Sequence, residues 1–169
     1  ASGTLAITSN NALGTNAAGT TIASGATLDL QNITYSTTEA LTVNGGTIKT
    51  STGTSSFAGG VTLGANSTVD VTGTQLTISG VITDGASTYG LTKTGSGILV
   101  LSNTNTYDGT TTISAGTLDI SGQLASGTYS ADINNSEILI YSSNSNQTFS
   151  GVVSGTGTLT KSGSGTLTL

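Results

Sequence analysis

The heptapeptide Leu91–Gly97, LTKTGSG, returns about 68 residues later as Leu159–Gly165, LTKSGSG, and each copy runs on into a short alternating apolar stretch, ILVL or TLTL. Self-similarity at a fixed offset is the signature of an array in which each unit buries its apolar edge on the next, so the chain points to an elongated scaffold rather than to one enzyme pocket. A shorter rhythm lies inside the longer one. Leu28, Ile48 and Val69 sit 20 and 21 residues apart, and Leu99, Leu118 and Ile138 follow with steps of 19 and 20. Larger steps, 30 from Val69 to Leu99 and 29 from Ile138 to Leu167, read as one additional strand each. On this reading Lys93 and Lys161 are equivalent positions of a superrepeat.

Thr, Ser and Gly make up 36, 24 and 25 of the 169 residues, a bias that by itself suggests disorder. The patterning argues otherwise. Val, Ile and Leu alternate with polar residues in runs such as Thr27-Leu28-Asp29-Leu30, Thr68-Val69-Asp70-Val71 and Thr117-Leu118-Asp119-Ile120, which is the period of a half-buried strand. Sixteen such runs are separated by Gly, Asn and Ser, and no helical period competes with them.

Two architectures use strands this short. Antiparallel hairpins in a sandwich would exploit turns such as Asn44-Gly45. A right-handed parallel β-helix would instead stack equivalent strands of successive coils of roughly 20 residues. The second is preferred, because only stacked coils make like follow like at a fixed offset. Thr then forms outward ladders, where its branched side chain suits an extended backbone. Gly and Asn take the corners, and the absence of Pro leaves every N–H available to the ladder.

At this point the residues resemble a known family, the autotransporter passenger-associated strand repeat of Gram-negative type V secreted proteins. The match is carried by Leu91–Ser121, LTKTGSGILVLSNTNTYDGTTTISAGTLDIS, and Leu159–Leu169, LTKSGSGTLTL, with weaker echoes in SGTLAITSNNALGTN at Ser2–Asn16 and NGGTIKT at Asn44–Thr50. The resemblance implies a right-handed parallel β-helix within a long passenger exported across the outer membrane to the cell surface, often as the stalk of an adhesin. The motif is structural and brings no catalytic residues with it. Residues 1–169 are accordingly expected to form a single β-helix segment. No methionine occurs, position 1 included, and both termini fall inside repeat units, which reads as a fragment of a longer passenger whose partners are its own neighbouring coils. End-to-end self-association of the isolated segment is a further expectation.

Chemistry is sparse. Six Asp, two Glu, three Lys and no Arg or His give a net charge of -5, and Lys49, Lys93 and Lys161 are too few and too dispersed to bind nucleic acid. No apolar run is long enough for a membrane-spanning helix. Without His or Cys there is no Ser-His-Asp or Cys-His machinery and no imidazole or thiolate metal site. No catalytic, cofactor-binding or metal-ligating residues are assigned, no cofactor is expected, and the chain is read as non-enzymatic. Asp29, Asp70 and Asp119 read as a solvated outward face; a carboxylate pair of a polysaccharide lyase is the sharper alternative, weakened by the missing Arg. Asp84-Gly85 and Asp108-Gly109 read as turns, since no calcium nonapeptide occurs. Gly95, Gly97, Gly163 and Gly165 belong to the repeat and not to a phosphate loop. Lys93 and Lys161 read as solvated strand ends.

Ice binding through Thr ladders is disfavoured because Thr110-Thr111-Thr112 is one local cluster and the repeat spacing is uneven. Tyr35, Tyr89, Tyr107, Tyr129, Tyr141, Phe57 and Phe149 read as core filling or capping. The N-x-S/T matches at Asn32, Asn66 and Asn146 carry little weight. The function that follows is a rigid stalk or spacer, with a lateral face that binds host or glycan ligands as the alternative. A uniform Thr and Ser face favours the spacer; an aromatic or acidic patch favours binding.

Overall fold

A computed structural model describes residues 2–14 and 17–169. Ala1 and the last two residues of the Ser2–Asn16 echo lie outside the described residues. Every strand pairing is parallel, and eight successive coils stack into a parallel β-helix. No hairpin forms among the described residues. Asn44-Gly45 instead turns a corner, with Gly45 at φ 75° between strands Leu41–Asn44 and Thr47–Thr50.

Each coil contributes to three faces. The first is an unbroken eight-stranded sheet: Gly3–Ile7, Ala26–Leu30, Thr47–Thr50, Ser67–Val71, Leu91–Thr94, Thr111–Ile113, Ile133–Asn135 and Val153–Ser154. The second has seven strands, from Thr34–Tyr35 and Thr54–Phe57 through Gln75–Ile78, Ile98–Leu101, Thr117–Ile120 and Ile138–Tyr141 to Thr158–Lys161. The third is interrupted. Thr20–Ile22, Leu41–Asn44, Val61–Ala65 and Ile82–Thr83 form one block, Thr104–Asn105 and Gln123–Leu124 a second, and Thr128–Tyr129, Gln147–Phe149 and Leu167–Thr168 a third. Several of these two- to four-residue strands, Thr54–Phe57 and Thr104–Asn105 among them, carry too few apolar residues to be read from alternation.

In-register stacking makes the core a set of columns. Leu76, Leu99, Leu118, Leu139 and Leu159 lie over one another on the second face, and Tyr35, Phe57, Ile78, Leu101, Ile120 and Tyr141 form the column beside them. Leu28, Ile48 and Val69 stack on the first face as their spacing implies. The continuation differs. Val69 is followed by Lys93, whereas Leu99 belongs to the second face, so the step of 30 is a coil plus a change of face and not an extra strand. Ile138 is one residue out of register: Leu139 lies on Leu118, and Ile138 points outward at 40% exposure. Leu167 lies over Gln147 on the third face.

The two copies of the heptapeptide occupy different corners. Lys93 is the penultimate residue of a first-face strand and Gly95–Gly97 turns into the second face; Lys161 ends a second-face strand and Gly163–Gly165 turns into the third. The repeated unit is therefore strand, corner, strand, placed wherever the path bends, and the expected equivalence of Lys93 and Lys161 is corrected. A superrepeat not commensurate with a whole number of coils lands one face further round.

Where the third face breaks, side-chain amides carry the ladder across. The column Leu41, Val61, Ile82 continues through Asn105, Leu124 and Gln147. Asn105, fully buried, accepts the Ile82 N–H at 2.9 Å and donates to Asn103 O and Gln123 O. Gln147 accepts the Leu124 N–H at 2.9 Å and donates to Leu124 O at 3.1 Å. An amide carries both a donor and an acceptor, so it substitutes for a peptide group that geometry has moved out of reach.

Close stacking also fixes one glycine column. A Cβ on Gly80 would lie 1.8 Å from Gly59 O, and one on Gly59 would lie 1.7 Å from Glu39 O. Neither backbone is left-handed, so the requirement is for space and not for conformation.

Among the described residues two buried side-chain oxygens lack a partner, Glu39 Oε2 and Thr50 Oγ1. Thr50 is fully buried in register with Val71, and its hydroxyl has no partner. A buried unmade hydrogen bond costs about 1–3 kcal/mol. Thr50→Val keeps the shape and removes the orphan oxygen, so it is expected to raise the unfolding free energy by about 1 kcal/mol. Urea denaturation measures this, and a lower midpoint would refute it.

Candidate functional site: the lateral faces

The outward positions of the first sheet read Thr4, Thr27, Thr47, Thr68, Thr92 and Thr112 on six consecutive coils. Thr21, Thr42, Thr62 and Thr83 form a second ladder on the third face. Strand spacing sets about 4.8 Å between successive members. The uneven sequence spacing that argued against a ladder is absorbed in the corners, so the Thr array is regular in space even though it is irregular in sequence. Six coils present one Thr each on the first face and four on the third, with other residues beside them.

Beside the first ladder runs a charged column, Asp29, Lys49, Asp70, Thr94. The Lys49 ammonium pairs with the Asp70 carboxylate. Asp29 is 4% exposed and not solvated as expected: its carboxylate accepts from Ser51 N at 2.9 Å, Ser51 Oγ at 2.7 Å and Gln31 Nε2 at 2.9 Å, so it ties two coils together. Asp119 is on the second face, held by Ser142 Oγ at 2.5 Å, so the three aspartates do not share one face. Asp84 is buried and anchors the long corner between Thr83 and Leu91, accepting from Tyr89 N at 3.0 Å and Asp108 N at 3.3 Å. Among the described residues no three acidic side chains converge as a metal site would require, and no helix is long and apolar enough to cross a membrane.

Lys93 departs furthest from expectation. It is 1% exposed and points into the core between Val69 and Ile113. Its Nζ donates to Thr94 O and Gly95 O at 2.7 Å each and to Ala115 O in the next coil at 3.1 Å. Burial holds its pKa down to about 8, against the opposing pull of the Asp70 carboxylate. The expected solvated strand end is therefore corrected: the four methylenes lie in the core and three carbonyls take up the ammonium. Lys161 is exposed, donates to Gly163 O and lies 5.5 Å from the centre of the Tyr141 ring.

Tyr35, Tyr107, Tyr129, Tyr141, Phe57 and Phe149 are core residues, and Tyr89 is half-buried. Tyr107 and Tyr129 share the buried hydroxyl of Thr111 at 2.8 and 2.7 Å, and the Tyr129 hydroxyl also donates to Gly109 O. Burial pushes Tyr107 up to about 12 and Tyr129 higher still. The faces thus carry no aromatic platform among fully exposed residues. Asn32, Asn66 and Asn146 sit at corners and use their side-chain oxygens on Thr54 N, Gly90 N and Thr166 N.

One concavity was not legible in the sequence. Asn66, Thr88, Gly90, Thr92, Thr110 and Thr112 line a polar groove of about 260 Å³ where three coils meet beside the long corner. Its members are 46 residues apart at the extremes and no local pattern marks them.

The comparisons with known proteins agree with this architecture. The family described as the passenger-associated-transport-repeat matches residues 91–120 and 159–169, the segments that carry the repeated heptapeptide. The chain is similar to the adhesin BmaC autotransporter of Brucella suis biovar 1 (strain 1330), 35% identical over 117 residues. That alignment covers 69% of this chain and 3% of the relative, so the chain spans a small part of the protein it matches. No solved structure matches it.

The buried titratable groups set a pH profile. Lys93 is held down to about 8 from 10.5, so between those values the unfolded chain binds the extra proton and stability rises with pH. Tyr107 and Tyr129 are raised above 10.0, so their contribution is intact below that value and is lost as pH climbs towards 12. Urea midpoints are expected to peak between about pH 9 and 10, and Lys93→Met is expected to flatten the rising limb. A wild-type midpoint that falls steadily from pH 8 to 10 would contradict this assignment.

Proposed function

The chain is an autotransporter passenger segment built on the passenger-associated-transport repeat, and from that premise we propose that it serves as a rigid, non-enzymatic spacer exposed outside the outer membrane. The observation that carries this reading is the unbroken eight-stranded parallel sheet. Every coil is hydrogen-bonded to the next along that face, so bending the axis means breaking ladder bonds. At about 4.8 Å per coil the segment extends roughly 40 Å and holds apart whatever is joined to its two ends. The Thr ladders support the same reading: they are polar and, among the described residues, free of fully exposed aromatic anchors.

Stability in such an array is a sum of coil and neighbour terms, so each coil templates the next and export can be drawn forward by folding outside the cell. Thr47 and Thr68 are in register on adjacent strands, so deleting residues 47–67 removes one coil and brings Ser67's successor strand onto Ala26–Leu30. The shortened chain is expected to remain folded, with a maximum dimension about 5 Å smaller by small-angle scattering and a urea m-value lower by roughly one-eighth. An unfolded deletion variant, or one of unchanged length, would sink the spacer reading.

Self-association of the isolated chain belongs to this proposal. Strand Gly3–Ile7 has one unpaired edge with Leu5 54% exposed, and the last coil exposes Val152 and Leu169. Both ends offer ladder groups to a second copy, and head-to-tail pairing does not close on itself. Light scattering is expected to show concentration-dependent growth of rods; a strict monomer at millimolar concentration would refute it.

A second reading, attachment through a lateral face, is favoured by the polar groove at Asn66 to Thr112. The relative's description as an adhesin lends it weight.

A further inference from the structure

We propose that the groove lined by Asn66, Thr88, Gly90, Thr92, Thr110 and Thr112 binds one ring of a neutral saccharide. The proposal rests on the lateral-face reading and is independent of the spacer reading.

The groove exists because of the backbone. Ser67 N donates to Gly90 O at 3.1 Å and Leu91 N to Thr110 O at 3.0 Å, so three coils are fixed side by side at this corner. A Cβ on Gly90 would lie 2.6 Å from Thr110 O, so no side chain fills the floor. Asn66 Oδ1 is committed to Gly90 N at 2.7 Å, which orients the amide and leaves its Nδ2 as a donor. The long corner carrying Thr88 is pinned from below by Asp84, which holds Tyr89 N and Asp108 N. The walls are therefore set before any ligand arrives, which lowers the entropic cost of binding.

The lining decides the class of ligand. Among the described residues, the hydroxyls of Thr88, Thr92, Thr110 and Thr112 make no hydrogen bond to another protein group, so each keeps one donor and two acceptor positions for a ligand. Thr92 and Thr112 are in register on adjacent strands and present their hydroxyls at one ladder spacing, about 4.8 Å. Hydroxyls and an amide facing inward suit a ring that itself carries hydroxyls. Among the described residues no lysine lines the groove: Lys93, next to Thr92, points into the core and spends its ammonium on three carbonyls. Asp84 and Asp108 stand behind the corner, and the chain carries a net charge of -5. A phosphate, sulfate or uronate would enter without a counter-charge and against that field.

The volume, about 260 Å³, is below the range of about 300–1,000 Å³ usual for ligand pockets, which limits the site to a single ring. With no aromatic face to stack on, binding is expected to be weak, with a Kd of about 1–10 mM.

Saturation-transfer difference NMR on the whole chain tests this, with methyl galactoside, methyl glucoside and methyl mannoside as neutral probes and methyl glucuronide as the anionic one. At least one neutral glycoside is expected to receive saturation, and the glucuronide little or none. The double variant Thr92→Val, Thr112→Val keeps the branched side chains that suit a strand, and is expected to weaken binding about tenfold, the loss of two ordinary hydrogen bonds. Thr42→Val, Thr62→Val on the third face is the control and is expected to bind as wild type. No transfer to any neutral glycoside at about 10 mM, or transfer that survives the Thr92, Thr112 change, overturns the proposal. Transfer to the glucuronide alone overturns the ligand class while leaving a lateral binding face standing.

Discussion

The parallel, in-register hydrogen-bond ladder between successive coils is the constraint on which everything else in this molecule depends. It fixes the separation of neighbouring chains, and through that separation it decides which side chains meet. Leu lies on Leu through five coils of the second face because each coil repeats the placement of the one beneath it. A column of this kind buries apolar surface with no long-range topology to search, which is how a chain with only 34% hydrophobic residues sustains a continuous core. The same rule works against error: a displaced coil would misalign all the columns above it.

The ladder is not kept by the backbone alone. On the third face the coils drift out of alignment twice, and Asn105 and Gln147 bridge the gaps with amides that mimic a peptide group. Lys93 serves a related purpose at a corner, collecting two carbonyls of its own turn and one from the coil above. Buried polar side chains of this kind cost desolvation and repay it only when fully bonded. Their positions coincide with the places where the path departs from a regular coil. A spacer can thus carry corners of different length without losing its axis.

The functional surfaces follow from the same geometry. Side chains on outward columns repeat at the strand spacing, so a face acquires a regular texture even where the sequence is irregular. Where the corner between Thr83 and Leu91 lengthens, residues from three coils come together around a concavity.

Alternation of apolar and polar residues and the offset of about 20 between like runs were enough to place the longer apolar strands, the parallel stacking and the Leu28, Ile48, Val69 column, because a period of two and a coil-length repeat are written along the chain; short polar strands such as Thr54–Phe57 and Thr104–Asn105 carry no such period. The core role of the aromatics was also legible. What sequence could not supply was the face on which a copy of the motif falls. Local chemistry makes LTK-x-GSG a strand followed by a corner, but the accumulated length of all preceding corners determines which corner it is, and that sum separated Lys93 from Lys161 and moved Ile138 outward. The burial of Asp29 and Lys93, and the groove at Gly90, were decided by tertiary structure alone: each depends on what the adjacent coil brings within hydrogen-bonding distance, and residues of adjacent coils are neighbours across the ladder and not along the chain.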